Sequence, residues 1–432
     1  MTYARHTKGT ATPLDQQRPA WLHGNLRWLF LISCLTLSGA CTAIDHAGHG
    51  SAAEPHDMKK SWAASLARQA LSVSATFDAK GGLWMTSVKD GHILVSYSLD
   101  KGKTFSVPVV VNPEAGLVAA VGENRPKILV SDKGYIYISY TLHLETPFAG
   151  NILFSRSVDG GRSFSTPITV NDNRDQITHR FDSMAIDKGG RIHIAWVDKR
   201  DAATAKKSGG RYSGAAIYYA TSDDEGKTFH TNIKAADHSC ECCRVPMAID
   251  RDGTPIIMWR HIFGKNTRDH AMMRLDEKSN LVRVSHANWE VDACPHHGPA
   301  ISIADDGVYH FAWFSNSAEQ RGLFYTQSSD RGNSFSRLLN FGNLRAQASH
   351  PDVLSLGKRI YIAWKEFDGA ITRIYLIHSS DGGTLWSAPQ SIASTAGVSD
   401  YPFLISDGQE GYLSWNTLGE GYRLTPLPKA TP

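Results

Sequence analysis

One short pattern, Ser-x-Asp-x-Gly-x-(Thr/Ser)-(Phe/Trp), recurs along the chain and constrains the fold more than any other feature. Four full copies, and a fifth with Leu385 at the hydroxyl position, occur at 98–105, 157–164, 222–229, 328–335 and 379–386. Each copy follows an apolar, strand-like run such as "AIYYATS". Asp and Gly in this order favour a tight β-turn, because the carboxylate accepts hydrogen bonds from the turn's own amides and glycine tolerates positive φ. The pattern therefore predicts many short strands that end in the same turn.

A second repeat interleaves with the first and sets the number of units. It runs from a charged or polar residue through an apolar strand and a Gly turn to a strand that ends in an aromatic residue, as in "RVPMAIDRDGTPIIMW". The terminal aromatics are Tyr140, Trp196, Trp259, Trp313, Trp364 and Trp415, with a degenerate first copy near Ser87. Successive copies lie about fifty to sixty residues apart, a spacing typical of β-propeller blades. We therefore predict an all-β propeller over residues 66–428, with seven blades, or six as the alternative.

The Ser-x-Asp-x-Gly turn resembles the Asp-box of BNR-repeat proteins in the sialidase superfamily, over about residues 70–427. The resemblance implies a propeller, usually six-bladed, and the chemistry of a sialidase-like exo-glycoside hydrolase. Such an enzyme needs arginines for a substrate carboxylate and an acidic residue for general acid–base catalysis. The candidates are Arg125, Arg180 and Arg244, each at the start of a unit, and Asp198 in "WVDKRD". A solvated turn is the alternative interpretation of Asp198.

The N-terminal segment predicts export. An apolar stretch from Trp28 to Ala40 follows Arg27 and is too short to cross a bilayer, so we interpret residues 1–40 as a signal peptide. The sequence "SGAC" ending at Cys41 resembles a bacterial lipobox. It implies acylation of Cys41 and an outer-membrane lipoprotein that faces the periplasm or the cell surface and touches the membrane through its lipid anchor only. Secretion without an anchor is the alternative.

The remaining chain carries no net charge and begins with a polar tether. Removing residues 1–40 takes away four of the 45 basic side chains and one of the 42 acidic ones, which leaves 41 of each. A nucleic-acid-binding protein needs a basic face, so we expect no nucleic-acid partner. Residues 41–65 are predicted to be a flexible tether, and its histidines, His46, His49 and His56, could collect a metal ion.

Cysteine and histidine are concentrated at the starts of two adjacent units. The stretch "DHSCECCRVP" supplies Cys240, Cys242 and Cys243, and "DACPHHGP" supplies Cys294, His296 and His297, with His350 at the start of the next unit. Three interpretations remain open: a disulfide that joins the two loops, a copper or zinc site of thiolates and imidazoles, and a catalytic thiol. Because an immediate-neighbour bridge is strained, we expect at most one stable disulfide among the four cysteines.

These observations predict a lipid-anchored envelope protein. We expect its propeller to bind a metal ion, copper or zinc, or a small anionic or glycan ligand at the mouth of the channel through the Cys/His cluster. The alternative function is that of the sialidase-like hydrolase.

Overall fold

Short antiparallel strands account for nearly all of the regular structure. The computed structural model describes residues 71–276 and 280–429, which contain 27 strands, the helix α1 (Arg200–Lys207) and a 3-10 turn at Leu344–Ala346. The all-β class predicted from the sequence is confirmed. No helix in this part of the chain is long and apolar enough to span a membrane. The predicted signal peptide, Cys41 and the tether lie outside the described residues.

The strands follow one another in units of four, and the last unit has three. The first unit contains β1 (Ser74–Phe77), β2 (Leu83–Lys89), β3 (His92–Ser98) and β4 (Val109–Val110). The second contains β5 (Lys127–Val130), β6 (Ile136–His143), β7 (Gly150–Ser157) and β8 (Ile168–Thr169). The third contains β9 (His179–Ile186), β10 (Ile192–Asp198), β11 (Ala215–Ser222) and β12 (Ile233–Ser239). The fourth contains β13 (Met247–Ile249), β14 (Pro255–Phe263), β15 (Thr267–Arg274) and β16 (Val282–Arg283).

The last three units continue in the same way. The fifth contains β17 (Ala300–Ile303), β18 (Tyr309–Asn316), β19 (Arg321–Ser328) and β20 (Leu339–Phe341). The sixth contains β21 (Ser349–Leu356), β22 (Arg359–Phe367), β23 (Thr372–Ser379) and β24 (Gln390–Thr395). The seventh contains β25 (Phe403–Ser406), β26 (Gly411–Thr417) and β27 (Gly421–Pro426).

Each unit is an antiparallel meander, and neighbouring units pack through their first strands. Within a unit, each strand pairs with the next one along the chain. The first strands contact one another in chain order from β1 to β25, and β25 also contacts β1. The third and fourth units form one eight-stranded sheet, because Ser239 of β12 pairs with His261 of β14. Sheets that radiate from a set of inner strands are the arrangement of a β-propeller.

The aromatic residues that mark the second repeat form the cores between the sheets. Each lies in the second strand of its unit, and Tyr140, Trp196, Trp259, Trp313, Trp364 and Trp415 are all 1% exposed or less. They pack with alternating Ile, Val and Ala side chains from their own and the neighbouring unit. Burial of large aromatic side chains removes much apolar surface from water, and this explains why the sequence repeats them once per unit.

The Ser-x-Asp-x-Gly turns have the hydrogen bonds that their residue types predict. In the third copy, Asp224 accepts from the Ser222 hydroxyl at 2.8 Å and from the Thr228 amide at 3.0 Å. The Gly226 amide donates to the Ser222 hydroxyl at 2.9 Å. Gly226 has φ +80°, and a Cβ there would lie 2.3 Å from the Phe154 ring of the preceding unit. Only glycine allows this turn to close against its neighbour.

Candidate metal centre

Three cysteine thiols meet at the junction of the third and fourth units. We call residues 240–246, which connect β12 to β13, the Cys loop. It leaves β12 beside the Ser239–His261 pair, and the Cys240 amide donates to the Arg260 carbonyl at 2.8 Å. Cys240, Cys242 and Cys243 are 1%, 6% and 2% exposed. The loop therefore turns its thiols into the core between the two units, away from solvent.

The three thiols are close enough to share one ion. Cys242 Sγ lies 3.6 Å from Cys240 Sγ and 3.9 Å from Cys243 Sγ, and all three sulfur atoms lie within 4.8 Å of one another. These separations are far longer than a disulfide bond of about 2.05 Å. All four cysteines of the described residues are free thiols. Three buried sulfur ligands at this spacing suit a soft metal ion.

The thiols differ in their affinity for protons. Hydrogen bonds from Cys242, and then from Cys243 and Cys294, hold the pKa of Cys240 well below its usual range. The same contact with Cys240 raises the pKa of Cys242, because a thiol that donates to a thiolate keeps its proton. Cys240 is therefore the thiol of the cluster that loses its proton most readily. Metal binding displaces such protons, since the thiolate is the ligand.

Three arginines surround the thiols. Arg268 Nη1 donates to Cys240 Sγ at 3.3 Å. Arg260, 1% exposed, acts electrostatically on Cys240 and Cys243, and its Nη2 donates to the carbonyls of His297 and Phe314 at 2.8 and 3.2 Å. Burial lowers the pKa of Arg180 to about 10, and the nearby thiols of Cys242 and Cys294 act in the opposite direction. The site is therefore cationic around its sulfur atoms.

Cys294 lies at the edge of this cluster. It is half-buried, packs against the same core and hydrogen bonds with Cys240. That contact raises the pKa of Cys294 to about 11. Its sulfur is outside the group whose ligand atoms all lie within 4.8 Å. His296, two residues later, is exposed and has φ +53°. The structure brings Cys294 to the three thiols and leaves His296 at the surface.

His297 and His350 pair with each other rather than joining the group of three thiols. Their ring centroids are 4.6 Å apart, and His350 also stacks on Tyr401 at 3.5 Å. His350 Nδ1 lies 3.6 Å from Glu123 Oε1. Although burial opposes it, the pKa of Glu123 falls to about 2 through the contact with His350 and the charge of Arg244. The imidazoles thus form a second cluster, which crosses three units.

Two of the three arginines expected to attract an anion are engaged in structural contacts. Arg125 is 2% exposed and forms a bidentate ion pair with Asp400, at 2.5 and 2.6 Å. Arg244 donates to the carbonyls of Pro299 and Pro351, at 2.7 and 2.8 Å. Arg180 lies instead over the Phe181 ring, at 5.0 Å, beside the thiols. The three guanidinium groups therefore have three different environments.

Asp198 is not part of a solvated turn, so that interpretation was wrong. Its side chain is 0% exposed at the end of β10, and Trp196 Nε1 donates to it at 2.8 Å. The Arg200 amide and guanidinium also donate to it, at 2.9 and 2.8 Å. The sequence did not reveal this burial, because a charged residue at the end of a strand usually faces solvent. Here the carboxylate turns inward and accepts from two donors close to it in the chain.

A cavity of about 250 Å³ lies between the first strands and contains several buried charged groups. Every unit contributes to its wall, through Ser74, Lys127, Asp182, Met247, Ile301, Asp352 and Phe403. Burial lowers the pKa of Lys127 to about 8 and raises the pKa of Asp352. Lys127 Nζ donates to the Arg125 carbonyl at 2.6 Å. This cavity is the second chemically distinctive place in the described residues.

Sequence reasoning missed Arg260 and Arg268. Arg260 directly follows the terminal aromatic of its unit, a position that holds Val197 in the third unit and Phe314 in the fifth. The same position holds Thr141, Lys365 and Asn416 in three other units, so a charged residue there gave no clear signal. Arg268 carried none, because its contact with Cys240 arises only when β15 pairs with β14.

Comparison with known proteins gives similarity of fold only. No protein-family profile matches the sequence, and no curated protein matches it. A protein of unknown function from Dyadobacter fermentans DSM 18053 is 13% identical, with TM-score 0.46 over 73% of this chain and 94% of that one. The Hadza microbial sialidase Hz136 is 15% identical, with TM-score 0.48 over 80% and 73%. A PL25 ulvan lyase is 12% identical, with TM-score 0.49 over 81% and 90%. At these values the likenesses carry no argument about chemistry.

Proposed function

We propose that the chain is a seven-bladed propeller of the Asp-box type that binds a soft metal ion, copper or zinc, in the bacterial envelope. The contact of β25 with β1, and the cavity wall to which every unit contributes, support a closed ring of seven. Acylation at Cys41 would tether the propeller to the outer membrane by lipid alone. The ion is the partner we propose, and the neutral charge balance of the chain without residues 1–40 favours it over nucleic acid.

The metal assignment rests on one observation: three buried cysteine sulfurs lie within 4.8 Å of one another. A single buried thiol packs as a small apolar group, so it is the close approach of three sulfurs, and not their burial, that indicates a metal site. An ion that replaces the thiol protons forms coordination bonds to the three sulfur atoms. Cys294, half-buried at the edge of the cluster and outside the group of three, is a secondary candidate. His296, His297 and His350 are secondary candidates, since two of them are held by each other.

Metal titration of the reduced, purified protein tests the proposal. We expect the protein to bind one Cu(I) or Zn(II) per chain. Binding of Cu(I) should produce an ultraviolet thiolate-to-metal charge-transfer band, and binding of either ion should release protons from the thiols. The apparent dissociation constant should be nanomolar or tighter, in keeping with the roughly 10 kcal/mol or more typical of structural thiolate sites. Failure to retain either ion through gel filtration would contradict the assignment.

A second candidate function is a glycoside hydrolase that uses the central cavity. Its support is a pair of buried carboxyl groups, Glu123 and Asp352, whose pKa values move in opposite directions. Both lie near Arg244, at 3.9 and 3.6 Å. Two carboxyl groups whose environments move their pKa values apart in a single pocket are the arrangement that glycoside hydrolysis uses. Against it, Glu123 is only 7% exposed, and Arg125 and Asp198 are held in structural pairs.

A fluorogenic glycoside panel that includes a sialoside separates the two functions. We expect no turnover by the metal-loaded or the metal-free protein. Turnover that Asp352→Asn abolishes and that Cys242→Ser leaves intact would support the hydrolase in the cavity. The matched control is Asp306→Asn, at an exposed turn far from both carboxyl groups in the sequence.

A further inference from the structure

Two arginines at the Cys loop, the buried Arg260 and the half-buried Arg180, have no carboxylate partner among the described residues. Arg260 bonds only to backbone carbonyls, and its Nε has no hydrogen-bond partner in this part of the chain. Arg180 Nε is likewise buried without a partner, and the guanidinium lies among the Phe148 and Phe181 rings. A buried guanidinium without a counter-charge costs several kcal/mol. An uncompensated guanidinium in a core therefore indicates that an anionic group is to be bound beside it.

The thiols lie near both arginines and can become anionic, whereas the Glu241 carboxylate of the same loop is paired with Lys199 at 2.5 Å. Arg260 acts on Cys240 and Cys243, and Arg180 acts on Cys242 and Cys294. Arg268 contacts Cys240 directly, at 3.3 Å. Its other charged neighbour, Asp292, is 97% exposed and 3.8 Å away. Because an exposed carboxylate is screened by water, it does little to neutralise Arg268. The three positive charges are therefore directed at the sulfur atoms.

We propose that the Cys loop is built for a three-coordinate Cu(I) ion, with Arg180, Arg260 and Arg268 as counter-charges to an anionic tris-thiolate. This inference rests on the proposed metal-binding function and names its ion. Three thiolates around one monovalent cation carry a net charge of minus two, which offsets two of the three guanidinium charges. The same thiolates around Zn²⁺ carry only minus one, and the surplus positive charge remains buried.

Coordination number points to the same ion. Zn²⁺ in closed protein sites takes four ligands in a tetrahedron, whereas sulfur-rich sites select Cu(I). In the described residues the group of mutually close ligand atoms contains three sulfurs and no imidazole. His297 is held against Phe314 and His350, and its carbonyl is bound by Arg260. The geometry thus offers three soft ligands and a cationic shell, which together favour Cu(I) over Zn²⁺.

Competition between the two ions tests the identity of the metal. The full-length protein is loaded with one equivalent of Cu(I) under anaerobic, reducing conditions and then exposed to a hundredfold excess of Zn(II), with a chromophoric chelator to report released Cu(I). We expect the Cu(I) to be retained. If Zn(II) displaces it, the ion assignment is overturned while metal binding stands. If neither ion binds, the proposed function itself fails.

Arg180→Met separates a counter-charge from a structural contact. Removing an uncompensated buried charge should raise the melting temperature of the metal-free protein by about 2 to 4 °C. It should also weaken Cu(I) binding about tenfold, because the anionic complex loses one counter-charge. A structural role predicts the opposite: a lower melting temperature and unchanged Cu(I) affinity. Arg251→Met, at an exposed turn, is the matched control and should change neither quantity.

Arg268→Gln keeps the test decisive if Arg180→Met does not fold. Its guanidinium touches Cys240, yet the side chain lies near the surface, at 11% exposure. We expect the Cu(I) dissociation constant to rise at least fivefold and the Zn(II) constant to change less, because the Zn(II) complex carries less negative charge. Equal weakening of both ions, or no change in either, would overturn the role of the arginines.

Discussion

Cys242→Ser is expected to abolish tight metal binding and weaken the dissociation constant by at least about 10³-fold, because a hard hydroxyl replaces the middle sulfur of the three. Cys242 Sγ is the atom that lies close to both of the others, at 3.6 and 3.9 Å. Its loss leaves only two sulfurs of the group, Cys240 and Cys243, within 4.8 Å of each other. Titration with Cu(I) against a chromophoric chelator measures the effect, and circular dichroism verifies that the variant is folded.

Cys294→Ser is the matched control for this substitution. It removes a thiol of the same chemistry from the half-buried edge of the cluster, outside the group of three. We expect its dissociation constant to stay within about tenfold of that of the parent protein. If Cys294→Ser is as damaging as Cys242→Ser, the ion has four sulfur ligands and the three-coordinate site is wrong. If neither variant loses the ion, the binding site lies elsewhere.

Mild acid is expected to destabilise the propeller, with most of the loss between pH 6.5 and pH 4. Burial lowers the pKa values of His143, His261 and His310 to about 4. In the unfolded chain these groups bind protons near pH 6.5, so below that pH the unfolded state carries more protons than the folded one. The free energy of unfolding therefore falls as pH falls, by up to about 3 kcal/mol for each histidine by pH 4.

Urea unfolding of the metal-free protein at a series of pH values measures this slope. His310→Gln should flatten it, since His310 is 1% exposed and its ring accepts or donates to Tyr325 at 2.7 Å. His230→Gln, at an exposed position, is the matched control and should leave the slope unchanged. A stability that stays constant from pH 7 to pH 4 would show that the buried imidazoles are hydrated or already charged in the folded protein.

The units were predictable because their signals are local. Asp224 and Gly226 determine a turn with partners at most four residues away, and the buried aromatic of each second strand recurs at nearly constant spacing. The equivalent positions of the Cys loop and Cys294 in adjacent units favoured Cys242 or Cys243 as the neighbour of Cys294, whereas in the structure Cys240 acts on it most strongly. The turns and the buried aromatics depend on short-range chemistry and repetition, which a single sequence displays.

The contacts of the site residues were not predictable, because they depend on which side chains from different units lie within reach of each other. The sequence predicts that Arg125 binds an anionic ligand, but in the structure it forms an ion pair with Asp400, 275 residues further along the chain. The sequence predicts His350 as a metal ligand, but in the structure its ring stacks on Tyr401 of the next unit. Both outcomes satisfy buried charge or polarity at the channel. No pattern within either repeat indicates which pairing prevails.

The Ser239–His261 pair bears on the preorganisation of the metal centre. The Cys loop starts and ends in a single continuous sheet, whose two halves are joined at this point by the Ser239–His261 pair. A connector anchored in this way loses little conformational entropy when it captures an ion. It also tolerates no added residue, unlike ordinary surface connectors, since lengthening it would release the register that brings the sulfurs together. The third and fourth units thus anchor both ends of the Cys loop in one sheet.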